Sequence, residues 1–381
     1  MLTYLSSYIQ PIMWACMLFP LVAAVFTFPF VIRQYRKYGG IAFMRVIVVY
    51  SFILYFMCAF LLTVLPLPSV EEVLKMPDHP IGWIPYVGLR HGIVESGLSI
   101  SDPASWKRFL KCDDFLQCFY NVVMTIPLGI YMRYYFKCSF FKTMLIGFLA
   151  SFFFEATQYS ALFGIYPKPY RYTEVDDLIN NTMGAVIGFI IEPLFARFIP
   201  SRAEIDHLSY IKGERITLVR RLFAVVIDYV LFNVIFAATE ALIIPRNGVD
   251  IKVTVCVWIL EGIIYFLVLP VILKARTPGQ AMLKLKLARD NGMKLKAGMI
   301  VKRNFMLYVV EFMILNATGF LMSGLVNVLL SWQSNSLKII LLFGFFSVGI
   351  VVVMMFYVLR CLKKYNVMPH SHYSHTVEIS Y

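Results

Sequence analysis

Two apolar segments of this chain carry polar residues where burial is expensive. The first runs from Met144 to Gly164 and holds Glu155 and Gln158. A polar stretch, KPYRYTEVDD, follows with Arg171, Glu174, Asp176 and Asp177. The second segment then opens with Asn180 and Asn181 before it turns fully apolar. A carboxylate at the centre of a bilayer costs about 2.5–3.5 kcal/mol, so it persists only where it faces partners or a wet cavity. Glu155 and Gln158 are three apart and share a helix face. Asp177, Asn181, Gly184 and Gly188 step by four, three and four, and so line one face of the next helix. Glycines on that face let a neighbouring backbone come close. With Asn121 at the start of an earlier span, one pocket gathers Asn121, Glu155, Gln158, Arg171, Asp177 and Asn181, with Asp176 at its edge. Such a set can hold a protonated Glu as general acid, a carboxylate as base, and Arg171 for a phosphate or carboxylate. It can equally chelate a hard cation through oxygens, or simply pin helices together by hydrogen bonds. Glu155 and Asp177 are the catalytic candidates. No Ser, His or Cys nucleophile accompanies them, so a hydrolytic site is the weaker reading.

The elements that must position these groups are membrane spans. The 381 residues are 60% hydrophobic and 15% charged, where soluble chains are closer to 45–50% and about 25%. An all-α, polytopic integral membrane protein follows, with nine spans expected near 11–32, 45–66, 115–132, 142–163, 177–198, 219–243, 253–273, 305–330 and 338–359. No basic residue precedes Arg33, which argues for a retained first span with an external N-terminus. That orientation places most of the 35 lysines and arginines in cytoplasmic segments, including the basic C-terminal tail. The net charge of +13 then reads as a topology signal with attraction to anionic membrane lipid, and nucleic acid is not an expected partner. Seven cysteines form no CxxC pair. Cys112 and Cys118 lie near the expected outer face and could pair, but small buried thiols are the favoured reading. His79 and His91 lack ligand spacing, and neither a metal nor a cofactor is expected.

The chain divides into halves. Residues 1–200 form a five-span domain with a long loop at 67–114, and a polar cytoplasmic linker follows at 201–215. Residues 216–365 form a four-span domain, and 366–381 read as a disordered tail in which His370, His372 and His375 are solvated. In the second half, alternation over 283–288 suits either a short strand or a basic amphipathic segment lying on the inner leaflet. Arg221 and Asp228 are seven apart, two helical turns, and Arg303 lies at the same depth. An Asp228–Arg303 ion pair is the expected partner arrangement. Glu240, Glu261 and Glu311 are further acids within spans.

Asn121 with Pro127-Leu128-Gly129, Glu155-Ala156-Thr157-Gln158, Arg171, and Asp176-Asp177 through Asn181-Thr182-Met183-Gly184 and Gly188 resemble the VanZ-like family over roughly residues 45–200. The family commonly has an aspartate where Glu174 stands. Residues 215–365 resemble the RDD family through Arg220-Arg221, Ala224, Asp228, Thr277-Pro278-Gly279, Leu285, Asp290-Asn291-Gly292 and Arg303-Asn304. Gln280 replaces the lysine or arginine usual after the TPG triplet. The resemblance implies a bacterial cell-membrane protein linked to resistance to teicoplanin, a glycopeptide acting on the outer face. Three functions stay open: an envelope protein altering the outer leaflet or its lipid-linked wall precursors, an intramembrane enzyme on a lipid-linked phosphate or sugar, and an ion or small-solute transporter.

Overall fold

A computed structural model describes residues 2–79, 81–243, 251–311, 356, 360 and 368–381. Seven helices among them are long and apolar enough to cross a membrane. Each coincides with one of the first seven expected spans. The eighth and ninth expected spans fall mostly outside the described residues, as does the side chain of Glu311. The described chain is helical apart from one two-stranded sheet and an isolated bridge. Contacts divide it into two units, Met1–Val31 with Ile41–Ser209, and Ile32–Gly40 with Tyr210–Tyr381.

Helix α1 (Leu2–Tyr38), which belongs to the first unit up to Val31, contains Pro11, Pro20 and Pro29, which a membrane span tolerates better than a soluble helix does. Helix α2 (Phe43–Val64) is followed by three short helices, α3 (Val70–Lys75), α4 (Val87–Ser96) and α5 (Pro103–Phe109). The Ser69 hydroxyl accepts from Glu72 N–H while the Glu72 carboxylate accepts from Ser69 N–H, which fixes the start of α3. Then come α6 (Asp113–Tyr134), α7 (Phe140–Tyr159), the single turn α8 (Ala161–Gly164) and α9 (Val175–Ala196).

Helix α9 packs chiefly on α6 and next on α7. The sequence explains the closeness. A Cβ on Gly184 would run into Thr125 Oγ1 and Val122 O, one on Gly188 into Ile126 O, and one on Gly129 into Ala185 O. Only hydrogen at these positions lets the two backbones meet. Helix α2 joins the group through phenol hydrogen bonds, Tyr55 to Met124 O at 2.9 Å and Tyr131 to Ser51 Oγ at 2.8 Å.

The segment expected as a linker is a helix, α10 (Arg202–Gly213). Its Ile205 is fully buried against Ala42, Val48, Tyr134 and Tyr135, and Asp206 pairs with buried Arg45. One apolar residue per turn sufficed to dock it, without the apolar run that the linker reading looked for.

The second unit contains residues 32–40, α11 (Leu218–Ile243) and α12 (Ile251–Ile263). The latter continues through a π-helical turn at Ile264–Val268 into α13 (Leu269–Ile272). After α14 (Pro278–Met282) comes strand β1 (Leu285–Arg289), then α15 (Ala297–Asn304) running into π-helical Phe305–Glu311. The tail is ordered over its last residues, correcting the disordered expectation. It forms α16 (Pro369–Ser374) and β2 (Thr376–Ser380), and β2 pairs antiparallel with β1 in the register Leu285↔Ser380, Leu287↔Glu378 and Arg289↔Thr376. Of the two readings of 283–288, the strand is therefore the one realised. Leu283, Leu285 and Leu287 point inward, with the lysines between them less buried, as a period of two requires.

Candidate functional site

In the first unit the structure gathers the polar residues where one end of α6, α7 and α9 meets the loop before α9. Asn121 of α6 donates to the Asp177 carboxylate of α9. Ser151 of α7 donates to Asp177 O at 3.0 Å, and Asn181 Nδ2 donates to Ser151 Oγ at 3.0 Å. One turn further along α7, the Glu155 carboxylate accepts from Glu174 N–H at 3.2 Å. Glu174 in turn accepts from Gln117 Nε2 at 2.9 Å. Asp176 accepts from Tyr86 N–H at 2.7 Å, and the Tyr86 hydroxyl reaches Asn180 Oδ1 at 3.5 Å. The loop residue Gly82 exchanges backbone hydrogen bonds with Thr173 and Val175 at 2.9 and 3.0 Å, tying the 81–86 stretch over the cluster.

Glu155, Asn180, Asn181 and Ser151 are all buried. Among the described residues, the Asn181 Oδ1 atom has no hydrogen-bond partner. A buried amide oxygen left open marks a place where a polar group of a ligand or a water is accommodated at little cost. Glu174 lies at the mouth, just before α9. Burial, then the nearby carboxylates of Asp176 and Asp114, raise its carboxyl above the usual range, while the hydrogen bond from Gln117 opposes the rise.

Of the sequence candidates, Asn121, Glu155, Asp177 and Asn181 stand together, with Asp176 beside them. Gln158 and Arg171 serve α2. Gln158 Nε2 donates to Thr63 O at 2.9 Å. Arg171 donates to the carbonyls of Leu62 and Leu65 at the C-terminal end of α2, where a cation meets the negative end of the helix. Ser151, Gln117 and Tyr86 were not singled out from the sequence. The first two had a readable signal, because each sits four residues before a candidate on its own helix, Glu155 and Asn121 respectively.

Chemically the cluster is rich in acceptors. Ser151, the hydroxyl at its centre, is spent between the Asp177 carbonyl and the Asn181 amide, so it is not poised to attack a substrate. No group of three His, Cys, Asp or Glu side chains among the described residues is arranged to hold a metal. His79 packs against the Tyr172 ring at a tilt of 45°, and His91 pairs with Asp114 and Glu95.

The second unit has its own buried cluster. Asp228 is fully buried and accepts four hydrogen bonds, from Thr277 Oγ1 at 2.5 Å, Gly279 N at 2.7 Å, Tyr308 OH at 2.7 Å and Tyr265 OH at 3.2 Å. Thr277-Pro278-Gly279 opens α14, with Thr277 and Gln280 forming a reciprocal cap. A Cβ on Gly279 would strike Ala224 O and the Asp228 carboxyl, so that position must be glycine. The expected Asp228–Arg303 pair is not formed. Arg303 binds Glu378 at 2.6 Å and Asn304 Oδ1 at 2.9 Å. Four neutral donors satisfy Asp228 without a cation, and Arg303 takes a carboxylate from the tail that the disordered reading had set aside. Arg221 also pairs with Glu378, at 3.0 Å. Buried Arg220 donates to Leu283 O at 2.7 Å and stacks over Tyr35.

No curated protein and no solved structure matches the chain. Residues 52–196 match the VanZ/LLP1 family and residues 216–365 match the RDD family. The first match ends within α9 and contains the whole Asn121–Glu155–Asp177–Asn181 cluster. The second contains Asp228, the TPG turn and Arg303. The chain is thus a membrane protein carrying a VanZ-like domain followed by an RDD domain in one polypeptide.

Proposed function

We propose that this protein works in a bacterial cell envelope, where its VanZ-like domain alters the outer leaflet or its lipid-linked wall precursors and so lowers susceptibility to glycopeptides such as teicoplanin. The observation that carries this reading is the buried cluster of Glu155, Asp177, Asn121 and Asn181 at one end of three packed helices. Its open amide oxygen and two carboxylates suit hydrogen-bond donors of a polar headgroup. In the topology that follows from the lysines and arginines, this end faces outward, and the N-terminus lies outside with the C-terminal tail in the cytoplasm. Membrane lipid, and a lipid-linked precursor or the glycopeptide itself, are the partners. For the alternative of an intramembrane enzyme, Glu155 and Asp177 would serve as acid and base, while the Ser151 hydroxyl is committed on both sides. The transporter alternative would use Asp228, whose carboxylate is already held by four donors.

Glu155→Gln and Asp177→Asn keep shape and remove charge. Each is expected to lower the teicoplanin concentration that cells survive, with membrane abundance near that of the parent. Survival equal to the parent in both variants would make the cluster structural and end this reading. The orientation has its own test in a cysteine-free background carrying Arg90→Cys or Asn291→Cys. An impermeant thiol reagent should label position 90 in intact cells and position 291 only after lysis. The reverse pattern would place the cluster on the cytoplasmic side.

A further inference from the structure

The second unit shows a convergence that the proposed function does not use. Three side chains from three different elements of the unit's body aim at one carboxylate of its last strand. Arg303 Nη2 of α15 reaches Glu378 Oε1 at 2.6 Å, and Gln280 Nε2 of α14 reaches the same oxygen at 2.9 Å. Arg221 Nε of α11 lies 3.0 Å from Glu378 Oε2. Arg303 is 1% exposed and Glu378 4%, so the charges meet out of water. Each arginine has Glu378 as its ion-pair partner among the described residues.

We propose that Arg221, Arg303 and Gln280 form a binding site for a phosphate monoester, and that Glu378 of the chain's own C-terminal strand occupies it as a displaceable stand-in. The charge balance supports phosphate over carboxylate. Two guanidiniums face a single negative charge from Glu378, whereas a phosphate monoester carries about −1.5 to −2 near neutral pH and offers three acceptor oxygens. Planar guanidinium forks suit those oxygens in pairs.

The attachment of the strand supports displacement. β2 pairs with one neighbour over five residues, and its further ties are few, from Arg220 to Ser380 and from Arg276 to Tyr381, where a two-stranded sheet depends on such packing. The donors all belong to helices, and only the acceptor comes from a five-residue strand. A buried ion pair gains little net stability over its solvated parts, yet leaving buried Arg303, with half-buried Arg221 beside it, without an anion is unfavourable. Departure of Glu378 is therefore coupled to arrival of another anion.

Occupancy has a route to the rest of the domain. Gln280 Oε1 accepts from Thr277 N–H at 3.0 Å, and Thr277 Oγ1 and Gly279 N hold Asp228. The anion site and the buried aspartate thus share one turn. Gln280 is also where the usual basic residue after the TPG triplet is absent, and its amide serves both partners at once.

The ligand chemistry has two sources, an anionic lipid headgroup such as phosphatidic acid or a soluble phosphate. The test uses the full chain in phosphatidylcholine nanodiscs and reads amide hydrogen exchange over residues 376–381. Three samples are compared: phosphatidylcholine alone, phosphatidylcholine with phosphatidic acid, and phosphatidylcholine with millimolar inorganic phosphate. Exchange in this stretch should rise at least tenfold in one or both anion samples while residues 113–134 are unchanged. A response to phosphatidic acid alone identifies a headgroup, and a response to inorganic phosphate identifies a site open to soluble anions. Arg221→Gln should blunt the response at least tenfold. Glu378→Gln should free the strand without added anion and bind radiolabelled phosphate at least tenfold tighter than the parent. Unchanged exchange in both anion samples of the parent overturns the proposal whether or not either variant folds, and would leave Glu378 as a fixed structural clamp.

Discussion

Asn181 of α9 donates to the Ser151 hydroxyl of α7 at 3.0 Å, one helical turn before Glu155. That hydroxyl then donates to the Asp177 carbonyl. A single buried serine therefore holds the amide and the backbone of α9 in the positions that define the polar cluster.

Ser151→Ala should uncouple this arrangement. Asn181 is 2% exposed and its Oδ1 already lacks a partner. Loss of the Nδ2 acceptor as well leaves the whole amide unsatisfied, at a cost of about 1–3 kcal/mol. Denaturant unfolding in mild detergent should show the loss. An unchanged midpoint would mean that water reaches the site and replaces the serine.

Gly188→Ala should be worse tolerated than its size suggests. The new methyl meets Ile126 O on α6, and overpacking of this kind costs about 1–3 kcal/mol. Gly298→Ala is the matched control within α15, because nothing lies within 4 Å of the added carbon. It should be neutral, or stabilising by about 0.4–1 kcal/mol through the unfolded chain. Equal effects from the two changes would show that α6 and α9 separate readily.

Glu174 should make the first unit less stable as pH rises. Its carboxyl is raised by burial and by Asp176 and Asp114, so the folded chain binds that proton more tightly than the unfolded chain does. Its contribution is complete below the unfolded value of about 4.3 and is lost as pH climbs through the raised folded value. Glu174→Gln keeps an acceptor for Gln117 and removes the charge. Its melting temperature should exceed the parent's at neutral pH and converge with it in acid. A gap independent of pH would assign the effect to packing.

Asp228→Asn should damage the second unit and spare the first. Four donors converge on this carboxylate, including Gly279 N–H and the Thr277 hydroxyl. An amide NH2 placed among them opposes donor to donor, which costs about 1–3 kcal/mol. Glycopeptide survival should stay within about twofold of the parent, since the hydrogen bonds that hold Asn121, Glu155, Asp177 and Asn181 come from residues of the first unit. Loss of resistance at normal protein levels would show that the two domains act as one machine.

The first seven spans and much of the polar cluster were legible in the sequence because both follow from local rules. Apolar length marks a span, and a helical period of 3.6 places Asp177, Asn181, Gly184 and Gly188 on one face. The cost of burying Glu155 and Asp177 demands that they find partners. That demand, with the glycine face of α9, pointed to a close partner helix and named α7; the structure makes α6 the closer neighbour and α7 the second. Only the tertiary structure decided which donor meets which acceptor. Asp228 is satisfied by Tyr265 and Tyr308, from segments whose distance in sequence gave no hint. Arg171 caps α2 through the carbonyls of Leu62 and Leu65, and its charge also reaches Asp177. Strand β1 was visible as an alternation with no mate, because its mate lies at residues 376–380, at the far end of the chain. Glu378 belonged to a stretch too polar to predict as ordered, yet it takes both Arg221 and Arg303. Local periodicity reports which face a side chain occupies. The partner across that face is chosen by chain segments brought together only when the whole chain folds.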